Sequence, residues 1–345
     1  MVDRPGGQLR AAVVGTGLIG GSILLRLHES GVPVTGWDPD GATRVEGRRH
    51  GVPFPDDLGE AVRDRDVVFL CGPLPTLPET LLTVTKYAPD GCVVTDVGST
   101  KGSVSAFAVE HGLTDRFVPG HPMAGTERSG LTAAVPALFE GAAWVLCPAA
   151  EGLPAFRLLV DLVLDVFAAR VVPMSPSVHD SVVALSSHVP HLLAGGLAGA
   201  VAGSQVRDAV LGLAAGSFRD GTRVAGTPAK RTADMLFNNR EQVVRQLDQV
   251  TALLSELAAA LRADDLDALV AHYRRAREVR TALLDRDLHP HRREFPVDGD
   301  HAAELAYLLE LGSAGGYLTR CRVDAGLVSY TGHRPDDELT ATMPS

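Results

Sequence analysis

Ala11-Ala12-Val13-Val14-Gly15-Thr16-Gly17-Leu18-Ile19-Gly20-Gly21-Ser22 is the stretch from which the fold is read. Residues 9–14 form an apolar run with the length of a buried strand, and the run feeds directly into G-x-G-x-x-G. A helical pattern over residues 22–28 follows and stops at Gly31. The glycines differ in what they make possible. Gly15 turns the chain off the strand, Gly17 lets a pyrophosphate approach the backbone, and Gly20 lets the helix pack on the sheet. The N–H groups at the helix start, around Leu18 and Ile19, lie at the positive end of its dipole and suit phosphate oxygens.

Working outward, residues 33–37 read as a second strand that ends on Asp38, near the spacing expected of a ribose-binding acid. A carboxylate there favours NAD and repels the extra phosphate of NADP, although Arg44, Arg48 and Arg49 follow and could soften the preference. Further strands are expected at 66–71, 92–97, 117–119, 142–147 and 170–172, alternating with helices. Gly72, Pro73 and Leu74 close the third strand at the end where a cofactor lies. The expectation is an α/β fold with an N-terminal Rossmann-like, doubly wound parallel sheet over residues 1–175.

Past Met174 the texture changes. Residues 177–287 carry helical periodicity with no strand signal, and 240–261 and 266–284 are long amphipathic helices. Their apolar stripes exceed what one small domain buries, so an all-helical domain over 176–288 that pairs into a homodimer is expected. Residues 289–345 read as a short β-α-β-like tail, half the size of a regulatory module, with 335–345 disordered.

Composition narrows the function classes. A net charge of −10 over 345 residues, with no basic stripe, argues against a nucleic-acid partner. Cys71, Cys92, Cys147 and Cys321 lack metal-ligand spacing and read as free thiols of a reducing, cytoplasmic setting. Residues 1–8 are polar, without the apolar core of a signal peptide. Residues 181–206 lack Asp, Glu, Lys and Arg, but His188, Pro190 and His191 interrupt them, so a buried helix is favoured over a membrane span.

The chemistry is expected in a cleft between the two domains. His121, in a Gly-His-Pro loop after a strand, can accept the proton of an alcohol as hydride leaves, or can simply be satisfied by backbone. Ser99 follows its own strand and can bond the same hydroxyl. His188 and His191 share a helix face; with no Asp, Glu or Cys to complete a set, no metal is expected and they read as cleft-lining polar groups. Arg223 can fork onto a carboxylate or stand on the surface of its glycine-rich loop.

These motifs occur in an order that resembles the prephenate/arogenate dehydrogenase family of tyrosine biosynthesis. The resemblance is carried by residues 15–22, by Asp96-Val97-Gly98-Ser99-Thr100-Lys101, by Gly120-His121-Pro122-Met123-Ala124-Gly125-Thr126-Glu127, by Ser187-His188-Val189-Pro190-His191, and by Phe218-Arg219-Asp220-Gly221-Thr222-Arg223. It implies oxidative decarboxylation of prephenate to 4-hydroxyphenylpyruvate with NAD, hydride leaving C4 while His121, assisted by Ser99, takes the hydroxyl proton. It further implies that Arg223 binds the ring carboxylate and His191 helps to hold the side-chain carboxylate. Thr126, Glu127, His188, Gly216, Arg219 and Asp220 fall on the family's pocket and gate. Two departures stand out: Arg231-Thr232 replaces the Met-Trp pair usual in relatives, and only half of a regulatory domain follows. Arogenate or an amino-substituted prephenate analogue are alternative substrates, and a non-catalytic NAD sensor is the alternative of another class.

Overall fold

The glycine-bounded apolar runs fold as strands of a parallel sheet in the computed structural model, which describes residues 3–4, 7–126 and 128–335. In chain order these are β1 (Ala11–Val14), α1 (Leu18–Glu29), β2 (Val34–Trp37), α2 (Gly41–Arg49), α3 (Leu58–Val62), β3 (Val67–Leu70), α4 (Leu77–Tyr87), β4 (Val93–Asp96), α5 (Gly102–Glu110) and β5 (Phe117–Val118). The sheet order is β2-β1-β3-β4-β5, and every neighbouring pair is parallel. Alternate residues serve opposite faces, as the pleat requires. Val13, Val67 and Phe69 join Ile23, Leu24 and Leu27 of α1, while Ala12, Val14, Val68 and Leu70 join Leu77, Leu81 and Val84 of α4. Burial on both faces is why these strands read as unbroken apolar runs.

The sheet does not continue through the later strands, as the sequence suggested. After β5 the chain passes Pro119, which has no N–H for a ladder, and enters a second, six-stranded sheet. That sheet contains β6 (Gly120–Pro122), β7 (Ala143–Leu146), which leads to α6 (Leu153–Asp165), and β8 (Arg170–Pro173). β6 runs antiparallel to β7, with His121 opposite Val145, and β7 is parallel to β8.

The helical region comprises α7 (Pro176–Val183), a π turn at Ala184–His188, α8 (Val189–Ala202), α9 (Arg207–Leu213), α10 (Gly216–Thr222), α11 (Ala229–Asn238), α12 (Arg240–Arg262) and α13 (Leu266–Leu284). Most of it is a separate unit, Asp180–His289, whereas Met1–His179 and Pro290–Arg334 form the other. Pro176–Ala202 is long and apolar enough to cross a membrane by length and composition, with mean hydropathy 1.2, yet only 28% of its apolar window is buried. Val183, Ala184, Val189, Ala194 and Val243 are the buried apolar side chains among the described residues of the helical unit. Leu193, Leu197, Leu253, Leu254, Val279 and Leu283 are exposed.

The reading of 289–345 as a tail apart is corrected by the pairing. β9 (His289–Pro296), α14 (His301–Ser313), β10 (Tyr317–Asp324) and β11 (Leu327–Arg334) complete the second sheet in the order β9-β11-β10-β8-β7-β6. β10 is antiparallel to β8, with Leu318 opposite Val171, so the open edge of β8 is covered. Leu308, Leu311, Leu318, Val328 and Tyr330 enter the same core as α1 and α6. The cross-link is polar: buried Arg157 on α6 donates to both oxygens of Glu304 on α14, and the Tyr330 hydroxyl donates to the same carboxylate at 2.6 Å. The expected disorder from 336 onward lies outside the described residues.

Candidate active site

The predicted nucleotide loop has the geometry its glycines require. Gly15 sits at φ 90°, left-handed backbone that favours glycine, and a Cβ there would strike the Cys71–Gly72 peptide. A Cβ on Gly20 would lie 1.9 Å from the Gly15 carbonyl oxygen, so only glycine lets α1 start this close to β1. Gly17 caps α1 and faces open space, leaving its surface clear for a phosphate. Leu18 and Ile19 begin the helix, and its first turn carries no acid to compete with an anion.

Asp38 follows β2, beside β1 in the sheet. One of its oxygens accepts from the Thr16 N–H at 2.7 Å, and the other from the Asp40 N–H at 3.0 Å, which fixes the carboxylate against the glycine loop. The arginines that follow are already engaged: Arg44 pairs with Asp56 and donates to the Asp38 carbonyl at 2.8 Å, Arg48 pairs with Asp56, and Arg49 with Glu46. Gly72, Pro73 and Leu74 leave β3 at the same end of the sheet, and Leu74 packs over Gly98. The cradle thus fits a dinucleotide with free ribose hydroxyls.

β4 ends at Asp96 beside β3, and there the structure supplies parts the sequence reading passed over. Asp96, fully buried, accepts from the Gly98 N–H at 2.8 Å and the Gly120 N–H at 3.1 Å. Lys101, equally buried, donates to Asp96 and, at 2.6 Å, to the Gly120 carbonyl. One ion pair therefore ties the loop carrying Ser99 to the strand carrying His121. The signal was visible as Asp-x-x-x-x-Lys around Ser99, but nothing in the sequence says that these charges are buried. His121, half-buried, approaches His179 with Nδ1 2.9 Å from Nε2. Thr126 is exposed and accepts from the Arg128 N–H; Glu127 lies outside the described residues.

In the helical unit, Asn239 at the start of α12 donates to the Asp180 carbonyl at 2.7 Å and to His188 Nδ1 at 3.1 Å. An amide nitrogen can only donate, so Nδ1 of His188 carries no proton. His191, one turn further along, has a buried Nδ1 with no hydrogen-bond partner among the described residues. Burial first, then the guanidiniums of Arg231 and Arg223, hold its pKa below the usual imidazole value. Arg223 opens a short 3-10 turn that packs on α8, while Gly216, Arg219 and Asp220 lie exposed on α10. No cluster of metal-ligating side chains occurs among the described residues.

Comparison with known proteins agrees with this geometry. Residues 23–172 match the model of the prephenate dehydrogenase nucleotide-binding domain, and residues 175–275 match that of the prephenate dehydrogenase dimerization domain. The chain is 32% identical to the cyclohexadienyl dehydrogenase of Zymomonas mobilis over 287 residues, covering 81% of this chain and 98% of the relative.

The chain belongs to the prephenate/arogenate dehydrogenase family.

The prephenate dehydrogenase of Bacillus subtilis is likewise 32% identical, over 79% of this chain and 75% of its own. The crystal structure of prephenate dehydrogenase from A. aeolicus, in complex with hydroxyphenyl propionate and NAD+, superposes with a TM-score of 0.74 at 26% identity. It covers 81% of this chain and 100% of that one. Membership makes this chain an NAD-dependent oxidoreductase, in keeping with the glycine loop and the anchored Asp38. The apolar run at Pro176–Ala202 opens the part matched as a dimerization domain.

Proposed function

We propose that this enzyme oxidises and decarboxylates prephenate to 4-hydroxyphenylpyruvate. NAD, held by Gly15, Gly17, Leu18, Ile19, Gly20, Asp38, Gly72, Pro73 and Leu74, supplies a hydride acceptor. His121 takes the C4 hydroxyl proton and Ser99 bonds the same hydroxyl, so the alcohol becomes a carbonyl as C4 gives up its hydride. Loss of the ring carboxylate as carbon dioxide then sends its electron pair into the ring, which becomes aromatic. The proton on His121 is in place to return to the phenolate oxygen. Arg223 clamps the ring carboxylate, and His191 holds the side-chain carboxylate, with His188, Gly216, Arg219, Asp220, Thr126 and Glu127 shaping the rest.

The observation that carries prephenate over arogenate is the charge around His191. Burial is the first cause of its lowered pKa, and the guanidiniums of Arg231 and Arg223 lower it further. Such a field attracts the keto acid of prephenate and repels the ammonium of an amino-substituted side chain. Purified enzyme assayed with prephenate, arogenate and amino-deoxyprephenate, following NADH absorbance, should favour prephenate by about tenfold or more in kcat/KM. Arg231→Met should narrow that ratio. Equal rates on arogenate reject the preference, and no NADH from any substrate rejects the reaction.

We take the helical unit to pair with a second copy of the chain. Its exposed leucines and valines, including those of the Pro176–Ala202 run, are the apolar surface such a partner would cover. We place the enzyme in the cytoplasm, where its four thiols would stay reduced.

A further inference from the structure

We propose that His179 sets the tautomer of His121, making it a positioning residue for the proton transfer; this rests on the reading of His121 as the proton acceptor. The two side chains lie in one unit, with Nδ1 of His121 2.9 Å from Nε2 of His179 and the rings nearly perpendicular at 77°. His179 is 0% exposed on α7, and His121 is fixed in β6 beside the Asp96–Lys101 pair that grips Gly120.

A bond between two ring nitrogens holds one proton, and its position decides what His121 can do. With the proton on His179 Nε2, His121 accepts at Nδ1, and its neutral ring carries its own proton on Nε2. That nitrogen then has no lone pair for a substrate hydroxyl. With the proton on His121 Nδ1, Nε2 is a base. The transfer follows directly: the hydroxyl O–H bond breaks, an N–H bond forms at Nε2, and Nδ1–H of the resulting imidazolium stays bonded to the neutral His179 ring. A buried carboxylate in this position would bind the imidazolium more strongly, favouring the charged ring before substrate arrives. A neutral imidazole orients the base without adding a negative charge that would favour the imidazolium.

The test uses the full-length enzyme with histidine isotope labelling. Ring-nitrogen NMR of the wild type should show His121 in its Nδ1–H form, and His179→Leu should give a mixture of the two tautomers. His179→Leu should lower kcat about 100-fold with KM for prephenate changed by less than about threefold. His179→Gln, whose side-chain oxygen can accept near the former Nε2, should recover most of that loss. An Nε2–H signal for wild-type His121 overturns the proposal even if the leucine variant does not fold. So does an unchanged kcat in His179→Leu, or a loss that glutamine does not relieve. His121→Asn, assayed alongside, separates the two readings: if it keeps full activity, the proton-acceptor role itself falls, whatever the tautomer signal shows.

Discussion

The ammonium of Lys101 is buried against the carboxylate of Asp96, and both groups also bond the backbone of Gly120, which ties the Ser99 loop to β6. Replacing Lys101 by Met leaves a buried carboxylate without its counter-charge, and Asp96→Asn leaves a buried ammonium. Each change should destabilise the enzyme by about 3–5 kcal/mol, read from urea midpoints. Asp96→Asn combined with Lys101→Met should cost less than the sum, because the second change removes the charge stranded by the first. Strict additivity would mean the pair does not act as a unit.

His121 and Arg223 should separate in kinetics. His121→Asn removes a group used as the proton leaves, so kcat should fall about 1,000-fold with little change in KM. Arg223→Ala removes a charge-assisted clamp on the substrate, so KM should rise about tenfold or more while kcat changes less. Steady-state rates with prephenate decide it, and the opposite pattern would exchange the two roles.

Asp38 should govern cofactor choice through charge. Asp38→Asn retains an oxygen for the Thr16 N–H but removes the negative charge facing a 2′-phosphate. The kcat/KM ratio of NADP to NAD should rise about tenfold. A ratio that stays fixed would shift the discrimination to other residues, since Arg44 and Arg48 are held by Asp56.

What the sequence made legible follows from the range of the interactions. The glycine loop, Asp38 and the parallel strands were readable because each rests on local backbone geometry or on apolar runs of strand length. The helical region was readable from its periodicity. The switch of sheets at Pro119 was not, because it depends on β6 meeting β7 some twenty residues later. The pairing of β10 with β8 was missed for the same reason: Leu318 and Val171 are far apart in the chain, and no local pattern names a strand's partner. Ser99 and His121 were singled out as candidates by their place after strands. His179 and Asn239 were passed over, since their contacts with His121 and His188 are made only by folding.

Asp161 on α6 should make stability fall as pH rises. Burial first, and then the charge of Asp165 one turn on, push its pKa up to about 6 from 3.8, while a hydrogen bond with Cys321 pulls it partly back. The folded protein therefore holds this proton more tightly than the unfolded chain does. The resulting stabilisation is fully present below about pH 4 and is lost as pH rises through about 6. Asp161→Asn keeps an oxygen toward Cys321 and cannot ionise. Its Tm relative to wild type should accordingly be more favourable at about pH 7.5 than at about pH 4.5. Partial access of Asp161 to water screens the effect, so the relative shift should be about 2–4 °C. Thermal melts of both proteins at the two pH values measure it. A Tm difference independent of pH would mean that the Asp161 carboxyl titrates alike in the folded and unfolded states.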